Sequence, residues 1–394
     1  MIQFIKKNRK YFFYASSIVI SRGLEYFVLF FSAYYLSKDS YGQLEFYKKI
    51  IELIGVILAF GLPSLLLTYT RSKNSKIYLT GLSLLFIILL STFLLPVLLF
   101  FGYHYLMIPV FFHAIFLNNG VLPVFFLTNN GSNQASLYKL ITSILFYTGV
   151  FLLIRFHPDP EYAFIYINYF LILIGFIFLG QIIRGYSFTR HFFKRYYRLF
   201  VRLLASSLTL VFSNIANIMF LYTDILIIKI MSKSANLDIA DYSFSLNIAN
   251  ILILIPFTLV QVDIEEIKKH FKLKRKAQRI FKLVLIFSFM LFSTYLLLTK
   301  LVFTNFSGAL IVFSLILLAK ISQTQSVLLG TLLLVQKKFK LNLKINLSML
   351  VLNLILSLLF YESFGVLGIA LSSFISLTTR LFLLNHFSNF NRYD

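Results

Sequence analysis

The chain has 394 residues, of which 59% are hydrophobic and only 13% are charged, and its mean hydropathy is +0.84. Soluble domains carry roughly a quarter of charged residues, so this composition excludes an ordinary soluble protein and indicates segments that span a lipid bilayer. The net charge of +23 does not imply a nucleic-acid partner, because the basic residues of membrane proteins collect in cytoplasmic loops.

Twelve apolar segments follow one another along the chain, each long enough to cross a bilayer as a helix. Backbone groups in hydrocarbon must be hydrogen-bonded within the segment or in a closed barrel, and apolar runs of about 20 residues favour helices. Polar turns separate the segments, for example at 128–134. The predicted fold class is an all-α polytopic membrane protein with spans at 11–36, 43–69, 77–101, 107–127, 135–155, 163–183, 203–228, 239–262, 281–299, 308–334, 342–360 and 365–385.

The positions of Lys and Arg support this number of spans and predict the orientation. With the amino terminus inside, 27 of the 37 basic residues, Arg380 among them, fall in cytoplasmic segments, four fall outside and six lie within spans. Both termini are therefore predicted to be cytoplasmic. The long basic stretch at 184–202 separates two predicted bundles of six helices, at 1–190 and 191–394.

Ionisable residues inside spans are rare and usually face a cavity or a partner, which makes them the candidate functional residues. In the first span, Arg22 and Glu25 lie three residues apart on one helix face, where a structural ion pair is the alternative to a functional role. In the second span, Lys48 and Lys49 have acidic residues at helical spacing. Pairing along the helix, or extension of the long side chains to the outer interface, is the alternative there.

The second half of the chain holds further candidates. Lys320 in the tenth span is followed by polar residues that include Gln323, and this polar seam is expected to face a lumen or a neighbouring helix. Asp224 and Asp241 flank the outer end of the hairpin formed by the seventh and eighth spans. Either could take up a proton or a cation during transport, but we expect both to be solvated near the interface.

Several kinds of chemistry are not expected from this sequence. It has no cysteine, which excludes thiol catalysis, disulfides and cysteine-ligated metals. Its six histidines lack metal-ligand spacing, and it contains no Gly-Lys-Ser/Thr phosphate loop. We therefore predict no metal, no cofactor and no ATPase activity. Because no predicted external loop is long enough to hold an external substrate, we also predict that the chain is not an enzyme.

Short motifs occur in order along nearly the whole chain. They are Tyr41-Gly42 before a span that ends in Gly61-Leu62-Pro63-Ser64, Asp224 followed by Tyr242, and Phe364-Gly365-Val366-Leu367-Gly368-Ile369-Ala370 opening the last span. In these motifs the chain resembles the Wzx-type polysaccharide (O-antigen) flippases of the multidrug/oligosaccharidyl-lipid/polysaccharide (MOP) exporter superfamily. The resemblance implies two pseudo-symmetric six-helix bundles, MATE-like, around a central cavity with alternating access. It also implies location in the bacterial inner membrane.

The substrate implied by this resemblance is an undecaprenyl-pyrophosphate-linked oligosaccharide, used to build O-antigen, lipopolysaccharide, capsule or exopolysaccharide. Its phosphates and sugar hydroxyls need basic and polar partners when they leave water. Membrane lipids and a polymerase of the same pathway are the expected partners, and nucleic acid is not. The residues expected to bind substrate are Arg22, Lys48, Lys49, Lys320 and Gln323, and those that could couple ion movement are Glu25, Asp224 and Asp241.

Two other functions fit parts of the sequence. A membrane glycosyltransferase, such as a polymerase or ligase, would act on the same lipid-linked sugars, but these enzymes generally have a large external loop and the predicted external loops are short. A drug exporter of the same superfamily would need an acidic cation site, whereas the predicted spans contain more bases than acids.

Overall fold

The computed structural model describes residues 9–69, 73–117, 120–184, 190–254 and 273–388. Within these ranges the chain is helical and has no strand, which confirms the predicted all-α class. Four short 3₁₀ turns also occur in the described ranges, at His104–Leu106, Pro160–Tyr162, Ile251–Ile253 and Thr304–Ala309. The helices are α1 (Arg9–Tyr35), α2 (Lys38–Ala59), α3 (Leu62–Tyr69), α4 (Lys73–Phe100), α5 (Met107–Phe116), α6 (Val121–Phe156), α7 (Ala163–Arg184), α8 (Arg190–Met231), α9 (Ala235–Asn250), α10 (Leu273–Leu301), α11 (Leu310–Val335), α12 (Phe339–Phe364) and α13 (Val366–Phe387).

Eight stretches of the described residues are helical, long and apolar enough to cross a membrane. A ninth is a pair of helical pieces in α8, Val211–Asn217 and Tyr222–Met231, with a 53° bend between them. These nine match the third to seventh and ninth to twelfth predicted spans. The first and second predicted spans are helical in α1, α2 and α3, and the eighth begins in α9 and continues into residues 255–262, outside the described ranges.

Three helices differ from the sequence prediction. The second predicted span is broken between α2 and α3, where Phe60 and Gly61 both have positive φ angles, 46° and 67°. The polar stretch 128–134 lies inside α6, although a turn is expected there. The basic stretch expected to be a loop becomes helical from Arg190. The resulting α8 has 42 residues, which is about 63 Å measured along its bent axis, roughly twice the hydrocarbon thickness.

The chain forms two compact units, and each of them is built from two separate stretches of the sequence. The first comprises residues 1–36 and 47–211, and the second comprises 37–46 and 212–394. The first residues of α2 therefore belong to the second unit, and the rest of this helix belongs to the first. A boundary between bundles at residues 190 and 191 stays a prediction.

Each unit has its own aromatic or aliphatic packing. In the first unit, α1 lies along α6, and Phe27 and Phe31 contact Phe151 with ring centroids 5.7 and 4.6 Å apart. In the second unit, α11 and α12 both lie along α13. Their buried apolar contacts form two clusters: Phe220, Ala319, Met349 and Leu377 in one, and Leu329, Leu333, Ile345 and Leu384 in the other.

Large apolar side chains also cover the outside of both units. Phe93 and Phe100 of α4 are 75% and 85% exposed, and Phe289 of α10 is 73% exposed. Water would not tolerate so many exposed aromatic rings, whereas lipid tails solvate them. The outer surfaces of α4 and α10 are thus suited to hydrocarbon.

The start of α2 is held tightly in the second unit. Lys38 forms an ion pair with Asp241 at 2.7 Å, and Asp39 accepts a hydrogen bond from the side-chain amide of Asn236 at 3.2 Å. Between these contacts, Gly42 lies against the backbone of α9, so close that a Cβ atom would lie 1.8 Å from the Asn236 carbonyl oxygen. Only glycine permits this approach of the two backbones.

Gly42→Ala is therefore expected to lower the free energy of unfolding by about 1–3 kcal/mol. The added methyl group would meet backbone atoms, which cannot rotate away as a side chain can. The control is Gly23→Ala in α1, where an added Cβ has no neighbour within 4 Å. That change should be neutral or stabilising by about 0.5–1 kcal/mol, because alanine favours helix. Thermal unfolding of the purified variants, followed by circular dichroism, measures both; equal midpoints would contradict the close approach.

Candidate functional site

The first candidate site is a group of charged residues in the first unit, which we call the Glu25 cluster: Arg22, Glu25, Lys48 and Lys49. α1 places Arg22 and Glu25 one turn apart, and the Arg22 Nη1 lies 2.7 Å from the Glu25 Oε2. The Lys48 Nζ on α2 lies 3.3 Å from the Glu25 Oε1. One carboxylate is thus shared by two cations from neighbouring helices.

The members of the Glu25 cluster differ in burial. The side chains of Lys48 and Glu25 are 3% and 14% exposed, whereas that of Arg22 is 49% exposed. Lys49 is also buried and attracts Glu25 electrostatically. Lys48 therefore ends inside the unit and does not extend to an interface.

Arg22 has hydrogen-bonding capacity left over. Its guanidinium has five N–H donors, and within the described ranges its bonds go to Glu25 alone. A half-exposed guanidinium is costly in hydrocarbon, so if α1 crosses the membrane as predicted, this side chain needs water or a polar ligand beside it. The cluster holds three cations and one acid, and Glu52, one turn from Lys48 on α2, also acts electrostatically on this region.

The second candidate site surrounds Asp224 on α8, in the second unit. Its carboxylate accepts hydrogen bonds from the Tyr242 hydroxyl of α9, the Asn353 Nδ2 of α12 at 2.8 Å and the Ser373 Oγ of α13 at 2.5 Å. Asp224 is only 3% exposed. The expectation that it is solvated near the interface is therefore wrong, because donors from three other helices replace water around it.

Asn353 and Ser373 were not identified as site residues from the sequence. A signal was available, because α12 carries Asn342, Asn346 and Asn353 at spacings that keep them on one helix face. All three are buried, and the first two both donate to the Ser213 Oγ at 2.9 Å. A row of buried amides in an apolar helix indicates polar contacts with other helices.

Lys320 and Gln323 lie together in α11, as the sequence predicts. The Lys320 Nζ donates to the Gln323 Oε1 at 2.9 Å, and both side chains are buried in the second unit. The ammonium also attracts the Asp224 carboxylate electrostatically. One further bond, between Ser322 and Thr378 at 3.1 Å, joins this polar seam to α13.

Arg380 is a buried cation that the sequence analysis assigned to a cytoplasmic segment. The structure places it within α13, 8% exposed, with its Nη1 3.2 Å from the Ser326 Oγ of α11. The positive-inside rule counts cations near span ends without knowing which of them a neighbouring helix covers. Arg380 therefore adds a positive charge to the interior of the second unit.

Asp241 is the remaining predicted candidate, and its partners differ from those of Asp224. Its carboxylate pairs with Lys38 at 2.7 Å, and its side chain is 25% exposed. Lys38 also donates to the Asn305 carbonyl at 3.3 Å. Since Asp241 already has a cation partner, its contacts are those of a structural ion pair at the start of α2.

The predicted site residues thus form separate groups. Arg22, Glu25, Lys48 and Lys49 come together in the first unit, while Lys320 and Gln323 lie near Asp224 in the second. In the part of the chain that the structure describes, no three His, Asp or Glu residues are arranged to hold a metal ion. In the two sites, the groups that could bind a ligand are therefore the charged side chains themselves.

The sequence matches no family model and no curated protein. Solved structures with the same fold include the lipid II flippase MurJ in an inward closed conformation, with 17% identity, a TM-score of 0.63, and coverage of 95% of this chain and 87% of the other. They also include a MOP superfamily transporter from Pyrococcus furiosus (11% identity, TM-score 0.52) and an outward-facing MATE family multidrug resistance transporter (13%, 0.53). For both, coverage is 98% of this chain and 95% of the other. The chain is therefore a multi-pass membrane protein with the fold of these transporters.

Proposed function

We propose that this protein is a flippase that moves an undecaprenyl-pyrophosphate-linked oligosaccharide across the bacterial inner membrane. The observation that carries the proposal is the Glu25 cluster, in which the half-exposed Arg22 keeps donors free within the first predicted span. A guanidinium can hold a phosphate with two parallel hydrogen bonds, and a site partly shielded from water strengthens each of them. The fold shared with a lipid II flippase adds support.

The buried cations of the second unit suit the same substrate class. Lys320 donates to the Gln323 Oε1, and Arg380 donates to the Ser326 Oγ. We propose that Lys320 and Gln323 contact the glycan or its phosphates during transport, with Lys48 and Lys49 supporting Arg22 in the first unit. Among the three acidic candidates, we propose Asp224 as the residue that binds a proton or cation and couples its movement to transport. Glu25 and Asp241 are already paired with cations.

The direct test uses the purified full-length protein in proteoliposomes that contain a fluorescent polyprenyl-diphosphate oligosaccharide. An impermeant quencher added outside should quench all of the labelled lipid in protein-containing vesicles, because flipping brings lipid from the inner leaflet to the outer one. In protein-free vesicles it should quench about half, the lipid of the outer leaflet. A membrane glycosyltransferase would leave the pool half protected and would lengthen the glycan. A drug exporter would leave the lipid untouched and transport organic cations.

The proposed orientation places both termini and the basic start of α10 in the cytoplasm. Gln278 is exposed on α10, and the natural chain has no cysteine, so Gln278→Cys provides a single reporter thiol. An impermeant maleimide should label it only after the cells are opened. Efficient labelling in intact cells would reverse the orientation.

A further inference from the structure

The early part of α8 forms a basic surface cavity that the proposed transport function does not use. Lys194, Arg195, Arg198 and Arg202 line it together with Leu199, and its volume is about 640 Å³. Ligand pockets commonly fall between about 300 and 1,000 Å³, so the space suits a small molecule or a lipid headgroup. We call these four cations the α8 basic site.

Helical periodicity explains why the cations point outward. On the opposite face of the helix, Tyr196 stacks on Tyr78 of α4 with ring centroids 5.1 Å apart, and Phe200 contacts Phe86 at 6.1 Å. These contacts fix this part of α8 against α4 within the first unit. The α8 basic site is therefore presented on a packed helix.

The α8 basic site has no acidic partner among the described residues. All four cations are exposed, and the ion pairs of the described ranges involve other residues. Four positive charges on three helical turns repel one another, and an anion in the cavity would relieve that repulsion. Charge complementarity therefore indicates an anionic ligand.

Exposed apolar side chains beside the site indicate where the anion comes from. Tyr197, Leu199 and Val201 are 52%, 37% and 47% exposed next to the cations. The candidate membrane span within α8 begins at Val211, so the α8 basic site precedes it along the helix. Basic and apolar residues alternating on a helix next to a span are typical of a segment at the membrane interface.

We propose that the α8 basic site binds the phosphate of an anionic phospholipid headgroup from the surrounding membrane. Arg195, Arg198 and Arg202 donate to the phosphate oxygens, while Tyr197 and Val201 contact the glycerol and upper acyl chains. The site is independent of the Glu25 cluster. A test of lipid binding at the α8 basic site can therefore fail without affecting the proposed transport function, and the reverse also holds.

Native mass spectrometry of the purified full-length protein tests the proposal, with dioleoylphosphatidylglycerol as the probe and dioleoylphosphatidylcholine as the neutral comparison. The test variant carries Arg195→Gln, Arg198→Gln and Arg202→Gln. A matched control carries Arg275→Gln, Arg279→Gln and Lys282→Gln, three exposed cations at similar spacing on α10. Because three arginine contacts to one phosphate are lost together, the test variant should bind phosphatidylglycerol about a hundredfold more weakly.

The control variant should stay within about threefold of the unmodified protein, and phosphatidylcholine should bind at least about tenfold more weakly than phosphatidylglycerol. Equal loss in both variants would overturn the site, because it would show only general attraction of anionic lipid to a basic protein. The phospholipid would be rejected as the ligand if inorganic phosphate displaced bound phosphatidylglycerol. It would also be rejected if the protein bound undecaprenyl diphosphate but not phosphatidylglycerol. If the triple variant elutes as aggregate, Arg198→Gln alone should still weaken binding about fivefold.

Discussion

Arg22→Ala is expected to reduce flipping of the lipid-linked oligosaccharide by about tenfold to a hundredfold while the protein remains folded in the membrane. The reduction corresponds to loss of one hydrogen bond to a charged group, worth about 1.5–3 kcal/mol. Folding should survive because Glu25 keeps its second partner, Lys48, at 3.3 Å. Removing Arg22 therefore does not leave an unpaired buried acid.

Arg22→Lys should retain part of the activity, because an ammonium keeps the charge but cannot form the bidentate contact of a guanidinium. The control is Arg279→Ala, which removes an exposed arginine of α10 outside both candidate sites. Flipping is measured in proteoliposomes and divided by the amount of inserted protein. Circular dichroism of each variant shows whether the fold is kept.

The double variant Arg22→Ala with Glu25→Ala separates substrate binding from charge neutralisation. If Arg22 served only to neutralise Glu25, removing both would restore most of the activity. If Arg22 binds the substrate, the double variant stays as inactive as Arg22→Ala. Recovery above half of the normal rate would therefore reject the binding role and leave Arg22 as a structural partner of Glu25.

The parts of this structure that depend on local sequence could be predicted from it. Hydropathy located nine of the twelve predicted spans within the described residues, because a helix in hydrocarbon satisfies its own backbone. The Arg22–Glu25 and Lys320–Gln323 contacts were accessible as well, since three-residue spacing puts both partners on one helix face. Such contacts need no knowledge of which helices are neighbours.

Contacts between helices distant in sequence could not be predicted in this way. Lys48 pairs with Glu25 on another helix, although acidic residues lie closer to it along its own. The assignment of residues 37–46 to the second unit likewise depends on the approach of Gly42 to Asn236, 194 positions later. Tertiary packing decides these partners, and a single sequence contains no periodic signal for it.

The burial of Asp224 shows the same limit at the second site. A carboxylate near a predicted span end is either solvated or enclosed, and only the positions of α9, α12 and α13 decide between the two. Because Asp224 is enclosed, its negative charge is held by donors from three helices at once. Any process that neutralises this charge must therefore change hydrogen bonds on all three.

Asp224→Asn is expected to abolish the response of flipping to an ion gradient while slower, gradient-free flipping continues. The amide keeps the size of the side chain but removes the charge that would bind a proton or a small cation. The amide NH₂ of the new asparagine would also face hydrogen-bond donors where the carboxylate oxygen accepted from them. This loss of an acceptor should lower the free energy of unfolding by about 1–3 kcal/mol. Proteoliposomes with an imposed proton or sodium gradient measure the coupling, and thermal unfolding measures the structural cost.

Ser373→Ala distinguishes coupling from stability, because it removes one donor to Asp224, at 2.5 Å, and leaves the carboxylate in place. This control should lose roughly the stability that Asp224→Asn loses and should still respond to the gradient. If Ser373→Ala also abolished the response, the network around Asp224 would act through packing alone. If Asp224→Asn kept a normal response, the negative charge of Asp224 would have no part in coupling.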